Sequence, residues 1–449
     1  MKKSILAVVI LLLIIASLPT IGNTFIKNTI DERLIELKSF GLQTSKDETH
    51  STYLNTSRHL EFLLRDSQNF LNHLKQYSDK QIPPYVNAML EGTLIGADIK
   101  YSNLPFAKAF EIEIYPMKLS PIISEELKKE DLNFYKYTEK FLFQKAMLYH
   151  IEYNLLNDDF KGYIKDINEK YILKNGMELI LSLEKASFKG NGELLAPKEL
   201  SSKVKEFHFN MLENKKSLNL LMRDFKSSSN FDSHNTYLTS VEIQSVLISS
   251  KGTADDVNIT VKQFRANTSS NDQGTQTQLN AKTSIKSLEL SSNLQNLSIN
   301  KFNFDLALSG LDKKEYLNLT QAQDFNAAFD ISIRKLLSNG LVLEIADFSV
   351  KEFSKDSDKD IKGFELKSKL TLKENRDLVR QNSLSPLVLI PYISLESELR
   401  ISKEMYKKLQ NSNLILEHFN GYEKEDGDDY IFVLKFIDAQ VSVNGRSLN

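Results

Sequence analysis

The chain of 449 residues contains no cysteine and no tryptophan. Without cysteine there are no disulfides, no thiolate metal sites, no cysteine nucleophile and no lipid-modified cysteine anchor. The missing tryptophan reads as compositional drift. Net charge is also nearly absent. Lys+Arg number 57 and Asp+Glu 59, giving a formal charge of -2, and no dense basic stripe runs through the sequence. Composition therefore speaks against a nucleic-acid partner. Short catalytic motifs are missing too. There is no Gly-x-Ser-x-Gly elbow, no phosphate loop and no His-Glu-x-x-His helix. The seven histidines, at 50, 59, 73, 150, 208, 234 and 418, are scattered and read as surface or capping residues. The expectation is a non-enzymatic protein with no cofactor and no metal.

What is present begins at the N-terminus. After Lys2 and Lys3, the 23 residues Ser4–Ile26 carry no charge, and Ile5–Leu18 is almost continuously aliphatic. A helix rises 1.5 Å per residue, so about 20 residues cross a bilayer core. Ala16 and Ser17 are small, but the cleavage pattern around them is poor. Residues 1–26 are therefore expected to be an uncleaved signal anchor, a single transmembrane helix. The alternative is a cleaved signal that releases the chain to the periplasm. The lysines favour the cytoplasmic side, which places residues 27–449 across the inner membrane.

Beyond the anchor, the spacing of Ile30, Leu34 and Leu37 predicts a helix over Asn28–Phe40. Tyr53–Tyr77 reads as a longer helix that could begin as a strand, and Pro83-Pro84 stops it. Residues 27–85 thus look like a helical N-terminal part. A third helix is expected over Ser124–Phe143, capped by Ser124. Shorter ones are expected at Lys313–Tyr316, Ala322–Asn326 and Ser402–Gln410. Elsewhere the dominant signal is alternation. Phe110, Ile112 and Ile114 alternate with acids, as do Leu179, Leu181 and Leu183 with polar residues. The same period of two recurs at 207–211, 257–261, 364–372 and 393–401. This is the mark of antiparallel sheet with one apolar and one wet face. Some runs switch phase, notably at Lys301, and between Ile345 and Phe348; a bulge or tight turn would explain it. The fold class expected is mainly β with minor α: a large, extended, curved antiparallel sheet with a few peripheral helices.

The ending Gly427–Arg446, with its closing Val443-Asn444-Gly445-Arg446, resembles the end of the YdgA-like family of bacterial envelope proteins. The segments Leu90–Tyr101 and Ile114–Leu119 are similar to an early hairpin of some members. That resemblance implies a hydrophobic N-terminus and a long β-rich body, with no catalytic residues to carry over. It also implies a broad architectural similarity to AsmA-like, groove-forming envelope proteins that handle lipid.

Three local features bear on sites. Asp356, Asp358 and Asp360 have the spacing of a calcium loop, but Ile361 and Lys367 stand where the loop needs a glycine and a bidentate acid, so a hairpin tip is expected. Asp256-Val-Asn258-Ile-Thr260 fits an extended glycosylation sequon at Asn258. The apolar strand face is the largest feature. It is either plain core or the lining of a groove for a lipid or other hydrophobic ligand. Phe302, Phe304, Leu306, Leu366 and Leu370 are the candidate lining. The expected role is binding or shielding such a ligand beside the inner membrane. The rival is a scaffold for another envelope protein.

Overall fold

The computed structural model describes residues 23–24, 26–75, 83–104, 110–194, 196–233, 236–252, 256–321, 327–356, 359–380, 386–410 and 419–448. The expected anchor, residues 1–26, lies outside them except for Asn23, Thr24 and Ile26. Among the described residues no helix is long and apolar enough to cross a membrane. The chain divides into two compact units, Met1–Asn214 and Lys215–Asn449. Both are mainly β, built from antiparallel sheet with a few helices.

The first unit is a meander. Its strands are β1 (Leu42–Ser51), β2 (Asn55–Leu64), β3 (Leu94–Ser102), β4 (Phe110–Lys118), β5 (Tyr149–Asn154), β6 (Asp159–Ile164), β7 (Ile167–Ile172), β8 (Glu178–Glu184), β9 (Ala186–Gly192) and β10 (Pro197–Glu213). Strands β1 to β6 pair in chain order. Next, β6 pairs with β9 and β7 with β8, and the two halves of β10 close on β9 and β8. The β8–β9 break falls at Lys185, whose φ is 49°.

Helix α1, over residues 26–39, lays Ile30, Leu34 and Leu37 onto a core that includes Leu60, Phe62 and Ile99. This is the face its sequence spacing predicts. Helices α2 (Ser67–Lys75) and α3 (Pro84–Leu90) follow. The helix expected over Tyr53–Tyr77 is therefore a strand followed by a helix, and Tyr77 lies outside the described residues. Residues 27–85 are mixed for the same reason. On β2 the buried positions are Thr56, Arg58, Leu60, Phe62 and Leu64, and the first two hide the alternation because they are polar. Arg58 is buried with its charge matched by Asp47 and Asp31, each at 2.7 Å. Thr56 donates to Asn103 Oδ1 at 2.7 Å.

The helix expected over Ser124–Phe143 is two helices, α4 (Pro121–Glu130) and α5 (Leu132–Phe143). Ser120, not Ser124, caps the first, with Pro121 in its first turn. Asp131 caps the second by accepting from the Asn133 and Phe134 amides at 2.9 and 3.0 Å. One extended residue between two caps breaks the run.

The second unit is also a meander: β11 (Lys216–Ser233), β12 (Thr236–Lys251), β13 (Val257–Gln273), β14 (Gln276–Ser292), β15 (Asn296–Asp312), β16 (Leu341–Lys355), β17 (Ile361–Leu372), β18 (Ile393–Ser402), β19 (Lys424–Asp426), β20 (Asp429–Ile437), β21 (Gln440–Val443) and β22 (Arg446–Ser447). Neighbours in sequence pair, except that β20 takes β18 on one edge and both β19 and β21 on the other. Helices α6 (Lys313–Gln321) and α7 (Ala327–Ser338) follow β15; the expected helix at 322–326 lies outside the described residues. A short α8 (Pro386–Leu389) precedes β18, and α9 (Lys403–Gln410) follows it. The hydroxyl of Ser402 accepts from the Met405 amide at 3.2 Å and caps α9.

The expected phase switches lie inside continuous strands: the first is a kink that leaves the register unshifted, the second a bulge. At the first, Lys301 has a φ of 53° and is skipped in the register, with Asn300 opposite Ser287 and Phe302 opposite Ile285. The second lies at Ala346-Asp347. The Lys301 break is one of a row. Asp224, Gln244, Gln263, Lys286 and Lys351 are skipped at the same level on β11, β12, β13, β14 and β16. Asp224 and Gln263 share the left-handed backbone of Lys301, with φ of 50° and 51°. One line of kinks thus crosses six strands.

Candidate functional site

Residues paired across antiparallel strands lie on the same face. Following the register places Phe225, Ile243, Phe264, Ile285, Phe302 and Val350 in one transverse row. On the other side of the kink line a second row, Met222–Val246–Val261–Leu288–Ile299–Phe353, continues the same apolar face. A kink that consumes one residue per strand is what keeps both rows on one side although their numbering changes parity.

The candidate lining residues fall on this face. Phe302, Phe304 and Leu306 stand on β15. Phe304 is opposite Phe348, which is opposite Leu366, while Leu308, Leu343 and Leu370 form a parallel row. Phe302, Phe304 and Phe364 each pack edge-on against Phe348, with centroids 6.0, 5.8 and 5.1 Å apart. The sequence names Phe348 only at a phase switch, and Phe225 and Phe264, in the same rows, were not among the candidates. Their phase switches, from Met222 to Phe225 and from Val261 to Phe264, carry the signal.

Cover over this face is uneven. Toward the C-terminus, α9 sets Met405 and Tyr406 on Ile361, Ile401 and Phe432, all buried. Burial, followed by the charge and hydrogen bond of Glu423, pushes the Tyr406 phenol up to about 12. Toward β11 that cover ends. Among the described residues, β11, β12 and β13 make almost all their contacts with neighbouring strands. From Lys216 to Ser292 no large apolar side chain is buried, and Leu218 and Ile248 are 37% and 39% exposed. Half-buried Val, Ile, Leu and Phe thus stand in ranks on a sheet face over which, among the described residues of this unit, no second layer packs.

Within the first unit, the wet face of its own sheet gathers charge. His59, Asp98, Glu113 and His150 lie in one cross-strand row. His59 Nδ1 is 2.6 Å from Asp98 Oδ1. Lys145 and Tyr115 both donate to Asp98 Oδ2, and the ammonium sits 4.1 Å from the Tyr115 ring centroid. Burial works to raise the Asp98 pKa, but the hydrogen bonds from Lys145, His59 and Tyr115 outweigh it and hold the carboxyl below its usual value. Lys145 also lies 3.7 Å from Glu113, so its ammonium stands between the two acids. Among the described residues no set of three His, Asp or Glu side chains is placed to hold a metal ion.

Two smaller expectations can be located. Asn258 is half-buried on the wet side of β13, paired with Ser249 and Ser291. Asp356 closes a turn by accepting from the Asn296 amide at 2.9 Å, while Asp358 lies outside the described residues. His234 and His418 do so as well. No protein-family model, no curated protein and no solved structure matches the chain.

Proposed function

We propose that the chain is a non-enzymatic, membrane-anchored protein of the bacterial cell envelope whose uncovered sheet face binds or shields a lipid or similar hydrophobic ligand. The observation that carries this reading is that, among the described residues of the second unit, no second layer packs over β11–β13. Apolar side chains there recur in aligned rows, yet none between Lys216 and Ser292 is buried. Water against such a face costs about 25 cal/mol for each Å² of apolar surface, and an acyl chain relieves that cost without needing directional partners. Phe302, Phe304 and Leu306 continue the rows toward the covered end, where Leu366 and Leu370 meet them.

Two features of the sequence support the location. The apolar run Ile5–Leu18 suits a single-pass anchor in the inner membrane, with residues 27–449 in the periplasm. The closing Val443-Asn444-Gly445-Arg446 supports a place among YdgA-like envelope proteins. The test is mass spectrometry of lipid extracted from the full chain after purification in mild detergent. Bound lipid is expected at about one or a few molecules per chain, and substitution of Phe264 and Phe302 by Glu should remove it. A lipid-free wild type, or one captured only with a stoichiometric protein partner on this face, would overturn the lipid reading in favour of a scaffold.

A further inference from the structure

We propose that the first unit holds a separate binding site for a medium-chain fatty acid, between its sheet and the α4–α5 helix pair. The first observation is shape. A cavity of about 400 Å³ is lined by Leu63 on β2, Leu94 on β3, Lys118 on β4 and side chains of α4 and α5. This is the small end of the range for small-ligand sites. It suits one chain of medium length and is too small to enclose a two-tailed lipid. Gly92 helps to shape it. Its φ is 81°, and a Cβ there would stand 2.7 Å from the ring of Pro121, so glycine is what lets the first turn of α4 approach the turn before β3.

The second observation is the wall. Leu63, Leu94, Leu119, Leu142 and Pro121 make it largely aliphatic. The one aromatic ring in it, Tyr135, carries the Lys128 ammonium over its face, 4.4 Å from the centroid. One face of that ring is therefore taken, and an aliphatic tail fits the wall better than a flat aromatic ligand. The third observation is the set of polar groups. Ser120 caps α4, which leaves the Ser124 hydroxyl with no hydrogen-bond partner among the described residues. Lys118 makes no ion pair among them either. By contrast, the Thr138 hydroxyl donates to the Phe134 carbonyl at 2.9 Å, and Glu139 accepts from the Tyr135 hydroxyl. The charges lining the cavity are Lys118 and Lys128 against Glu139, an excess of one positive charge. A carboxylate carries one negative charge and accepts from both an ammonium and a hydroxyl. A phosphate dianion would leave a charge unmatched. An acyl chain ending in a carboxylate satisfies the wall and the polar groups together.

The test is photo-crosslinking of the full chain, purified in mild detergent, with decanoate carrying a diazirine at its tail end, followed by peptide mass spectrometry. Label is expected on the segments around Leu94, Leu119 and Leu142. Unlabelled decanoate should compete at a concentration about fivefold lower than decanol, the scale of one screened charge contact. Decyl phosphate should compete less well than decanoate. Lys118→Gln should weaken decanoate by about the same fivefold factor, Lys118→Arg should restore it, and Lys407→Gln on α9 should leave it unchanged. Circular dichroism of each variant checks that the sheet is intact. Phe264→Glu, which alters the sheet face of the second unit, should leave the cavity label unchanged, so the two sites are read separately. Label outside the cavity only, label lost in Phe264→Glu, equal competition by decanol, or unchanged competition in Lys118→Gln would overturn the proposal. Stronger competition by decyl phosphate would overturn the carboxylate assignment.

Discussion

Replacing Asn444 by alanine should loosen the C-terminal end of the second unit by about 3–4 kcal/mol. On its outer edge β20 is paired by β19 up to Ile431 and by β21 from Leu434 onward, which leaves a gap in the ladder. The Asn444 side chain fills it. Its Oδ1 accepts from the Val433 amide at 2.8 Å, and its Nδ2 donates to the carbonyls of Tyr422 and Ile431 at 2.6 and 2.8 Å. Each such bond is worth about 1 kcal/mol net. Asn444 also has a φ of 48° and Gly445 one of 78°, the two positive values that a two-residue Asn-Gly hairpin needs. Alanine in that conformation costs about 1 kcal/mol more. Val443, beside it, is completely buried, so the hairpin cannot swing out without exposing core. Urea unfolding of the full chain, followed by circular dichroism, measures the loss. Hydrogen exchange at the Val433 amide localises it. Asn444→Gly is the control: it forfeits the three bonds but not the backbone conformation, and should recover about 1 kcal/mol relative to alanine. An alanine variant within about 1 kcal/mol of wild type, or a glycine variant no better than alanine, would refute this account.

Three further outcomes are expected. The hydrogen bond from Arg58 holds the Asp47 carboxyl below its usual pKa; the stability this adds is present above about pH 4 and is lost as pH falls through the depressed value, so Asp47→Asn should flatten thermal stability between about pH 5 and pH 2. Gln263→Ile should destabilise the second unit by about 1–2 kcal/mol in urea titration, because a β-branched residue resists positive φ, whereas Gln263→Gly should be neutral or stabilising. Phe264→Glu should cost little stability, because its face has no second layer, but should abolish the enhancement of an environment-sensitive apolar dye titrated against the full chain.

The sheet was legible because alternation is a direct readout of two faces, and α1 was legible because Ile30, Leu34 and Leu37 share a helical stripe. Strand β2 was not. Its buried face starts with Thr56 and Arg58, and neither looks buried until Asp31, Asp47 and Asn103 are brought beside them by other elements. Leu60, Leu63 and Leu64 then mimic helical spacing. The split between α4 and α5 was missed for a similar reason. Asp131 reads as one more polar residue in an amphipathic run until its carboxylate is seen on the amides of Asn133, Phe134 and Lys174.

The kink line was half legible. A single phase switch at Lys301 suggests a local bulge and nothing more. Its meaning comes from six strands in register: Met222 to Phe225, Val246 to Ile243, Val261 to Phe264, Leu288 to Ile285, Ile299 to Phe302 and Phe353 to Val350 all change parity at one level. No glycine marks the positions, because Asp224, Gln263 and Lys301 accept the left-handed backbone instead. A chance kink has no reason to recur on its neighbours. A shared one bends the sheet along a line, keeps the apolar rows on one side, and opens a polar cleft on the other. Phe264→Glu should therefore abolish dye binding and leave the circular dichroism of the sheet unchanged, because it alters one face and spares the register that aligns the rows.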